Sequence, residues 1–267
     1  MVNFAQVKAM TIPEGAVAQL LIEGNVIWSS SHLHYKLSED GTHYICCGVR
    51  STFDGTAVMV PASIAGLPVS AVGAGAFSAL TELTKVTFGT TPMEIAADAF
   101  AGCNKLATVV MPAASDVLDG SPWGSGVDRP IFYIEGVQYR KHSSNSSRYV
   151  VDVPSSTLFK GGDIELVSKI GGVNVYELDS SCFKNKTTLT GITIPATIKA
   201  IEASVFSGCT GLTKATFKGK PASNTMPATV FTGCTNLLDV YVPWAEGVVA
   251  NAPWGAENAT IHYNWQS

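Results

Sequence analysis

Ile194-Pro195-Ala196-Thr197-Ile198-Lys199-Ala200-Ile201-Glu202-Ala203-Ser204-Val205-Phe206-Ser207-Gly208-Cys209-Thr210-Gly211-Leu212-Thr213-Lys214-Ala215-Thr216-Phe217 is the stretch that decides the fold. Its end follows L-x-x-Φ-x-Φ, from Leu212 through Ala215 to Phe217. That alternation has the period of a strand with one buried face. Before it, Ile201, Phe206 and Cys209 are spaced too irregularly for a long amphipathic helix, so the Phe segment reads as a turn or a short helical piece.

The same pattern recurs along the chain. Phe77 and Phe100 lie 23 residues apart, as do Phe183 and Phe206, and Phe231 follows 25 residues later. Six residues after each Phe stands a Leu: Leu83, Leu106, Leu189, Leu212 and Leu237. Three residues after it stands Cys103, Cys209 or Cys234, with Leu80 and Lys186 in the other two copies. Five residues before it come Val72, Ile95, Leu178, Ile201 and Met226. One unit cannot bury its Phe, Leu and Cys alone, whereas stacked units place like residues in ladders and share one core. The expected fold is a repeat solenoid, mainly β with short helical turns, in which each unit adds one strand to a parallel sheet.

A second duplication lies above the first. Pro122-Trp123-Gly124 and Pro253-Trp254-Gly255 each stand ten residues after a strand-ending proline, Pro112 or Pro243. Ile131-Phe132-Tyr133 and Ile261-His262-Tyr263 then follow as final strands. A solenoid end exposes its apolar cross-section and needs a cap, so Trp123 and Trp254 are expected to lie over the last rungs. Two hairpins open the arrays: one turned at Asp40-Gly41, and one at Glu135-Gly136 between Ile131–Ile134 and Val137–Arg140. The chain divides into an N-terminal hairpin element (1–30), a first array (31–130) and a second array (131–267).

The repeat resembles the BspA-like leucine-rich repeat family, whose consensus runs roughly I-P-x-x-Φ-x-x-I-x-x-x-A-F-x-x-C-x-x-L-x-x-Φ-x-I-P. Ile194-Pro195, Ile201, Phe206, Cys209 and Leu212 match it, and the likeness covers about residues 35–112 and 131–243. Cys182, Val205 and Val230 depart at the Ala position, and Lys186 at the Cys position. The resemblance implies a leucine-rich repeat with a parallel sheet, and a role in surface adhesion and partner binding. Thr11-Ile-Pro-Glu-Gly15, with a hairpin ending in Val26-Ile27-Trp28, looks like short N-terminal elements of prophage and tail-associated proteins. That likeness points to residues 1–30 as a docking segment for virion or tail proteins.

Composition narrows the classes. Only 14% of the 267 residues are charged and the net charge is −4. No basic stripe is present, which argues against nucleic acid. No apolar run is long enough for a membrane helix. The N-terminus lacks a basic start, an apolar stretch and a cleavage site, so it is not read as a secretory signal. The alternative to a virion or tail-associated setting is a secreted bacterial cell-surface adhesin whose signal peptide lies outside this sequence.

A search for chemistry finds no convergent catalytic set. His32, His34 and His43 sit on one hairpin, and exposed histidines are a simpler reading than a metal site. Asp116, Asp119 and Asp128 are too irregular for a calcium loop. Cys46 and Cys47 are adjacent, and no electropositive setting activates either thiol. The expectation is a non-enzyme without cofactor or metal, binding a protein or glycan on a cell surface. If each Leu, Φ and Φ points inward, the residues between them face out. Lys85, Thr87, Thr108, Thr193, Lys214, Thr216, Asp239 and Tyr241 are therefore the candidate contact residues. A column of Thr is also what β-propensity alone favours.

Overall fold

The computed structural model describes residues 19–266 except 23–24, 30–31, 50–52, 114–119, 128–129 and 155. The expectations placed on residues 1–18 and on Asp116, Asp119 and Asp128 lie outside the described residues. Strands β1 (Gln19–Ile22) and β2 (Asn25–Ser29) form an antiparallel hairpin, described for its backbone only.

The L-x-x-Φ-x-Φ stretches form strands that pair in parallel. In the first array these are β8 (Lys85–Phe88) and β10 (Thr108–Met111). Strand β5 (Ala57–Val60) precedes them and β11 (Ile131–Ile134) follows. In the second array the order is β14 (Gly162–Glu165), β17 (Leu189–Ile194), β19 (Lys214–Phe217), β20 (Asp239–Tyr241) and β21 (Thr260–His262). The in-facing Leu83, Leu106, Leu189, Leu212 and Leu237 are wholly buried.

The Phe segments are strings of tight turns, and no α-helix occurs among the described residues. Leu106 N–H bonds to Cys103 O and Cys103 N–H to Phe100 O, each spanning three residues. Such segments are too short to nucleate a helix. Their remaining N–H groups bond sideways to the next unit instead: Phe77 to Ala99 O at 2.7 Å, Phe183 to Val205 O at 2.9 Å and Phe206 to Val230 O at 2.9 Å. The rings follow, with Phe77 over Phe100 at 4.9 Å, Phe183 over Phe206 at 5.4 Å and Phe206 over Phe231 at 5.4 Å. All five are fully buried. The thiols of Cys103, Cys209 and Cys234 donate to the carbonyls of Phe77, Phe183 and Phe206 at 2.9, 3.0 and 3.0 Å. Each of these carbonyls also accepts the N–H three residues on, from Leu80, Lys186 and Cys209, so the thiol of the next unit fills its second acceptor site. The residue before each of these cysteines is Gly102, Gly208 or Gly233, with φ of 79°, 73° and 78°. At Gly208 a Cβ would sit 2.3 Å from Asn185 Oδ1, so glycine suits both the left-handed backbone and the close rung spacing.

The closing segments share one backbone. Ser121-Pro122 and Ala252-Pro253 are cis, and Trp123 and Trp254 have φ of 51° and 54°. Trp123 O accepts from Phe100 N–H and Trp254 O from Phe231 N–H, the bond that Ala99 O makes to Phe77. Each Trp thus takes the backbone place of the residue before the next Phe, and its indole is buried at 1% and 0% exposure.

The pairing register revises one part of the duplication. Strands β3 (Leu33–Leu37) and β4 (Tyr44–Val49) open the first array. Their equivalents are β12 (Val137–Lys141) and β13 (Tyr149–Asp152), not the Ile131–Ile134 and Val137–Arg140 pair. Tyr35 opposes Cys46 as Tyr139 opposes Val151. Strand β4 then pairs in parallel with β7 (Leu67–Val72), which also pairs antiparallel with β6 (Ser63–Ile64), and β13 pairs in parallel with β16 (Val173–Leu178). Strand β11 is instead the counterpart of β21. The sequence could support either role, because β11 uses both edges: parallel to β10 and antiparallel to β12.

This double pairing joins the arrays. The sheet β5-β8-β10-β11 continues through β12 and β13 into β16, which pairs with both β15 (Lys169–Ile170) and β18 (Ala200–Ile201). Strands β16 and β18 carry Leu178 and Ile201, the residues five before Phe. In the first array that second row is β7 with β9 (Glu94–Ile95), on another sheet. The principal sheet of array one therefore runs into the secondary row of array two, and array two's principal sheet begins afresh at β14.

Candidate functional face

The candidate residues fall on two sheets. Lys85, Thr87 and Thr108 lie on the nine-stranded sheet, and Thr193, Lys214, Thr216, Asp239 and Tyr241 on the five-stranded one.

On array one the outward rows, read across the paired strands, are Ala57-Lys85-Thr108-Ile131 and Met59-Thr87-Val110-Tyr133-Gln138-Asp152. Lys85 is exposed, Thr87 and Thr108 are half-buried, and Met59 is 67% exposed. Further across the joint, Arg140 bonds to Asp152 at 2.5 Å through Nε and to Asp179 through its other arm. Val150, paired between Arg140 and Glu177, is 1% exposed although it lies on the outward face. The pattern L-x-x-Φ-x-Φ gave no sign of the Arg140 cluster, because β12 and β13 lie outside the repeat.

On array two the rows are Asp163-Gly191-Lys214-Asp239-Thr260 and Glu165-Thr193-Thr216-Tyr241-His262. Three of the candidates meet at the C-terminal end of this face. Lys214 Nζ sits 5.0 Å from the centre of the Tyr241 ring, a cation–π contact. His262 stacks on Tyr241 at 4.3 Å with the planes 9° apart. His262 Nε2 is 2.7 Å from Asp239 Oδ1, and Trp265 leans on Tyr241 at 5.5 Å. The parallel pairing of β20 with β21 causes this convergence, since Tyr241 and His262 are direct neighbours across it. His262 and Trp265 were missed as site residues; extending the register by one strand would have found His262.

Toward the other edge, Gly191 leaves a gap in its row. A depression of about 250 Å³ opens there, lined by Asp163, Glu165, Thr193, Lys214 and Thr216 among others. It is smaller than the usual pocket for a drug-sized ligand, and suits a single ring or one side chain of a larger partner. Thr190 Oγ1 donates to Asp163 at 2.6 Å, and Lys218 Nζ contacts Glu165 at 2.5 Å. Thr216 is 5% exposed, so it forms floor where exposure was expected. Glu135, in the turn joining the arrays, has its carboxyl pushed above the ordinary value, first by burial and then by the nearby Glu165 carboxylate.

The remaining chemical candidates do not gather. His43 lies 3.9 Å from Asp40, while His32 rests edge-on against Phe53. Among the described residues no group of three or more His, Cys, Asp or Glu is arranged to hold a metal. All six cysteines are free thiols. Burial pushes Cys46 and Cys209 up to about 12 and Cys234 to about 11, so these three stay protonated near neutral pH.

The chain belongs to the BspA-type leucine-rich repeat family. The family model matches six copies over residues 53–121 and 157–247, well over half of the sequence. The family is associated with bacterial surface proteins and adhesion, and its repeats are binding scaffolds. Among solved structures, the T. pallidum leucine-rich repeat protein is similar at 21% identity, over 88% of this chain and 81% of that one, with a TM-score of 0.29. A leucine-rich cell surface protein from Faecalibacterium prausnitzii A2-165 is similar at 14% identity, over 90% and 95% of the chains, TM-score 0.31. A leucine-rich repeat protein from Eubacterium ventriosum is similar at 15% identity, over 88% and 83%, TM-score 0.31. No curated protein sequence matches the chain. No helix among the described residues is long and apolar enough to cross a membrane.

Proposed function

We propose that this protein is a non-enzymatic recognition module that binds a bacterial surface target, glycan or protein, through the outward face of array two. The observation that carries this reading is the convergence of Lys214, Asp239, Tyr241 and His262 from three adjacent strands, beside the depression at Gly191. The face offers an aromatic edge, an ammonium, carboxylates and hydroxyls within one patch. Such a mixture serves both sugar hydroxyls and polar protein surfaces. Repeat proteins use their regular sheet surfaces in this way. Lys85, Thr87 and Thr108 form a second, separate contact patch on array one.

Two settings fit this activity. Residues 1–30 favour a virion or prophage tail position, with the hairpin β1–β2 as docking element. The family favours a cell-surface adhesin. Immunogold labelling of virions and of producing cells separates them: label on tails supports the first, label on cell walls the second.

The activity is tested by binding of the labelled protein to intact bacterial cells and isolated wall glycans. Saturable binding that falls at least about tenfold, some 1.4 kcal/mol, when Lys214, Asp239 and Tyr241 are changed together to Ala supports this face. Binding unaffected by that change but lost with Lys85, Thr87 and Thr108 moves the site to array one. Absence of binding to any cell or glycan overturns the reading.

A further inference from the structure

The row Asp163-Gly191-Lys214-Asp239-Thr260 carries a side chain on every strand except at Gly191. Gly191 lies within β17 and its φ is not positive, so the backbone there does not call for glycine. The neighbouring side chain does. A Cβ at position 191 would sit 2.7 Å from Oδ1 of Asp163. Because glycine stands there, the Asp163 carboxylate reaches across to the next strand, where Thr190 Oγ1 donates to it at 2.6 Å. The same gap opens the depression of about 250 Å³.

Two groups in this depression have binding capacity that the chain itself leaves unused. Thr216 forms its floor at 5% exposure, and its hydroxyl makes no hydrogen bond among the described residues. The oxygen is not sealed off from outside, so it opens onto the depression. A buried hydroxyl without a partner lacks the hydrogen bonds it would make in water, and a ligand group can restore them. Asp163 is the second. It makes no ion pair among the described residues, whereas Glu165 holds Lys218 and Asp239 holds His262. Lys214 also lines the depression, but its ammonium lies over the Tyr241 ring on β20, the strand away from Gly191.

The far end of the face bears on what the partner is. Strands β19 and β21 flank β20, and Tyr241 is held between them. One ring face lies under the Lys214 ammonium and the other against His262, 4.3 Å away. Neither is open for a sugar ring to stack on. Asp163 and His262 stand four strand pairings apart, about 19 Å at the usual spacing. A polar face of that breadth, with both faces of its Tyr241 ring taken, favours a protein surface over a glycan.

We propose that the depression at Gly191 takes a lysine side chain presented by a protein partner. The Asp163 carboxylate supplies the countercharge and the Thr216 hydroxyl an acceptor. Lysine fits better than arginine, because its three donors turn freely on a slender stem, whereas a guanidinium asks for acceptors in one plane. This assignment rests on the reading of array two's outward face as the binding surface, and narrows its target to a protein. An exposed charge pair contributes little alone. The isolated side chain therefore binds weakly, and the depression selects within a wider contact.

Chemical-shift titration of the full chain with Nα-acetyl-lysine N-methylamide tests this. Saturable shifts are expected at the amides of Gly191 and Thr216. Binding should weaken at least about tenfold in Asp163→Asn, and likewise in Gly191→Ala, whose methyl displaces the carboxylate. The norleucine analogue has the same stem without the charge and needs no variant; it is expected not to saturate. Norleucine binding equal to lysine overturns the proposal, as does binding unchanged in Asp163→Asn. Tighter binding of the arginine analogue or of methyl glucosaminide also overturns it, and assigns the depression to a guanidinium or an amino sugar. Absence of saturation up to the solubility of the lysine probe overturns it outright. The broader reading fails separately. A chain that takes the lysine probe but binds no cell keeps this site and loses the bacterial surface as its target. Cell binding that needs Lys214, Asp239 and Tyr241, without uptake of the probe, does the reverse.

Discussion

Phe206 shows how much stability one position carries in a stacked fold. It lies between Phe183 and Phe231, and its carbonyl accepts the Cys234 thiol. Truncation to Ala opens a cavity that the rungs above and below cannot fill. Phe206→Ala is expected to cost roughly 3–5 kcal/mol in chemical denaturation, and a loss below about 1 kcal/mol would contradict its place in the core. Glu135 works in the opposite sense. Burial and Glu165 raise its folded value, so its protonated form is the one that folding favours. That contribution is full below the ordinary carboxylate range and is lost as pH rises through the raised value. Glu135→Gln should therefore melt higher than the parent at neutral pH, with the difference vanishing in acid. Equal melting temperatures across that range would show that the charge is well solvated.

The strands and the ladders were legible in the sequence because their cause is local and repeated. Leu212, Ala215 and Phe217 fix a strand by period alone, and the five Phe positions fix the stacking. The role of Ile131–Ile134 was not legible. An apolar strand followed by Glu135-Gly136 fits both a closing strand and the first arm of a hairpin, and only the long-range pairing decides. Arg140, Asp152 and Asp179 were invisible for a related reason: they are remote in sequence and outside the repeat. His262 was within reach, since it follows from counting one strand past Tyr241. The Trp segments belong to this scale too. Removing residues 244–267 strips Trp254 and β21 from the last rung, which carries Phe231 and Leu237. The shortened chain is expected to aggregate, as light scattering would report. A soluble monomer would show that this segment does not act as a cap.

Across the whole molecule, the shared strand β11 decides how the arrays unfold. In a repeat protein the coupling between neighbours sets cooperativity. Here the coupling between arrays is a strand bonded on both edges, with Phe132 buried against both Trp123 and Tyr149. A single calorimetric transition is expected for the full chain, and Phe132→Ala should lower it as one. Two resolved transitions would mean that the joint transmits little. The same joint sets the candidate rows of the two arrays on different sheets, so array one's Lys85 row and array two's Tyr241 face form separate surfaces.

The matched backbones of β11 and β21 also bear on how such a chain changes length through descent. Each closing strand reaches a left-handed residue at the same place, Glu135 with φ 53° and Asn264 with φ 56°. A gene exchange joining the codons after one to those after the other would meet similar geometry on both sides of the cut. Whole arrays could then be gained or lost without inventing a new joint. Within a rung, extra residues fit only in the turns between the ladders, as in the 25-residue spacing from Phe206 to Phe231, where the rings still stack at 5.4 Å. Variation in this lineage should therefore come in two sizes: single outward residues, which retune what is bound, and entire arrays, which change how many faces are carried.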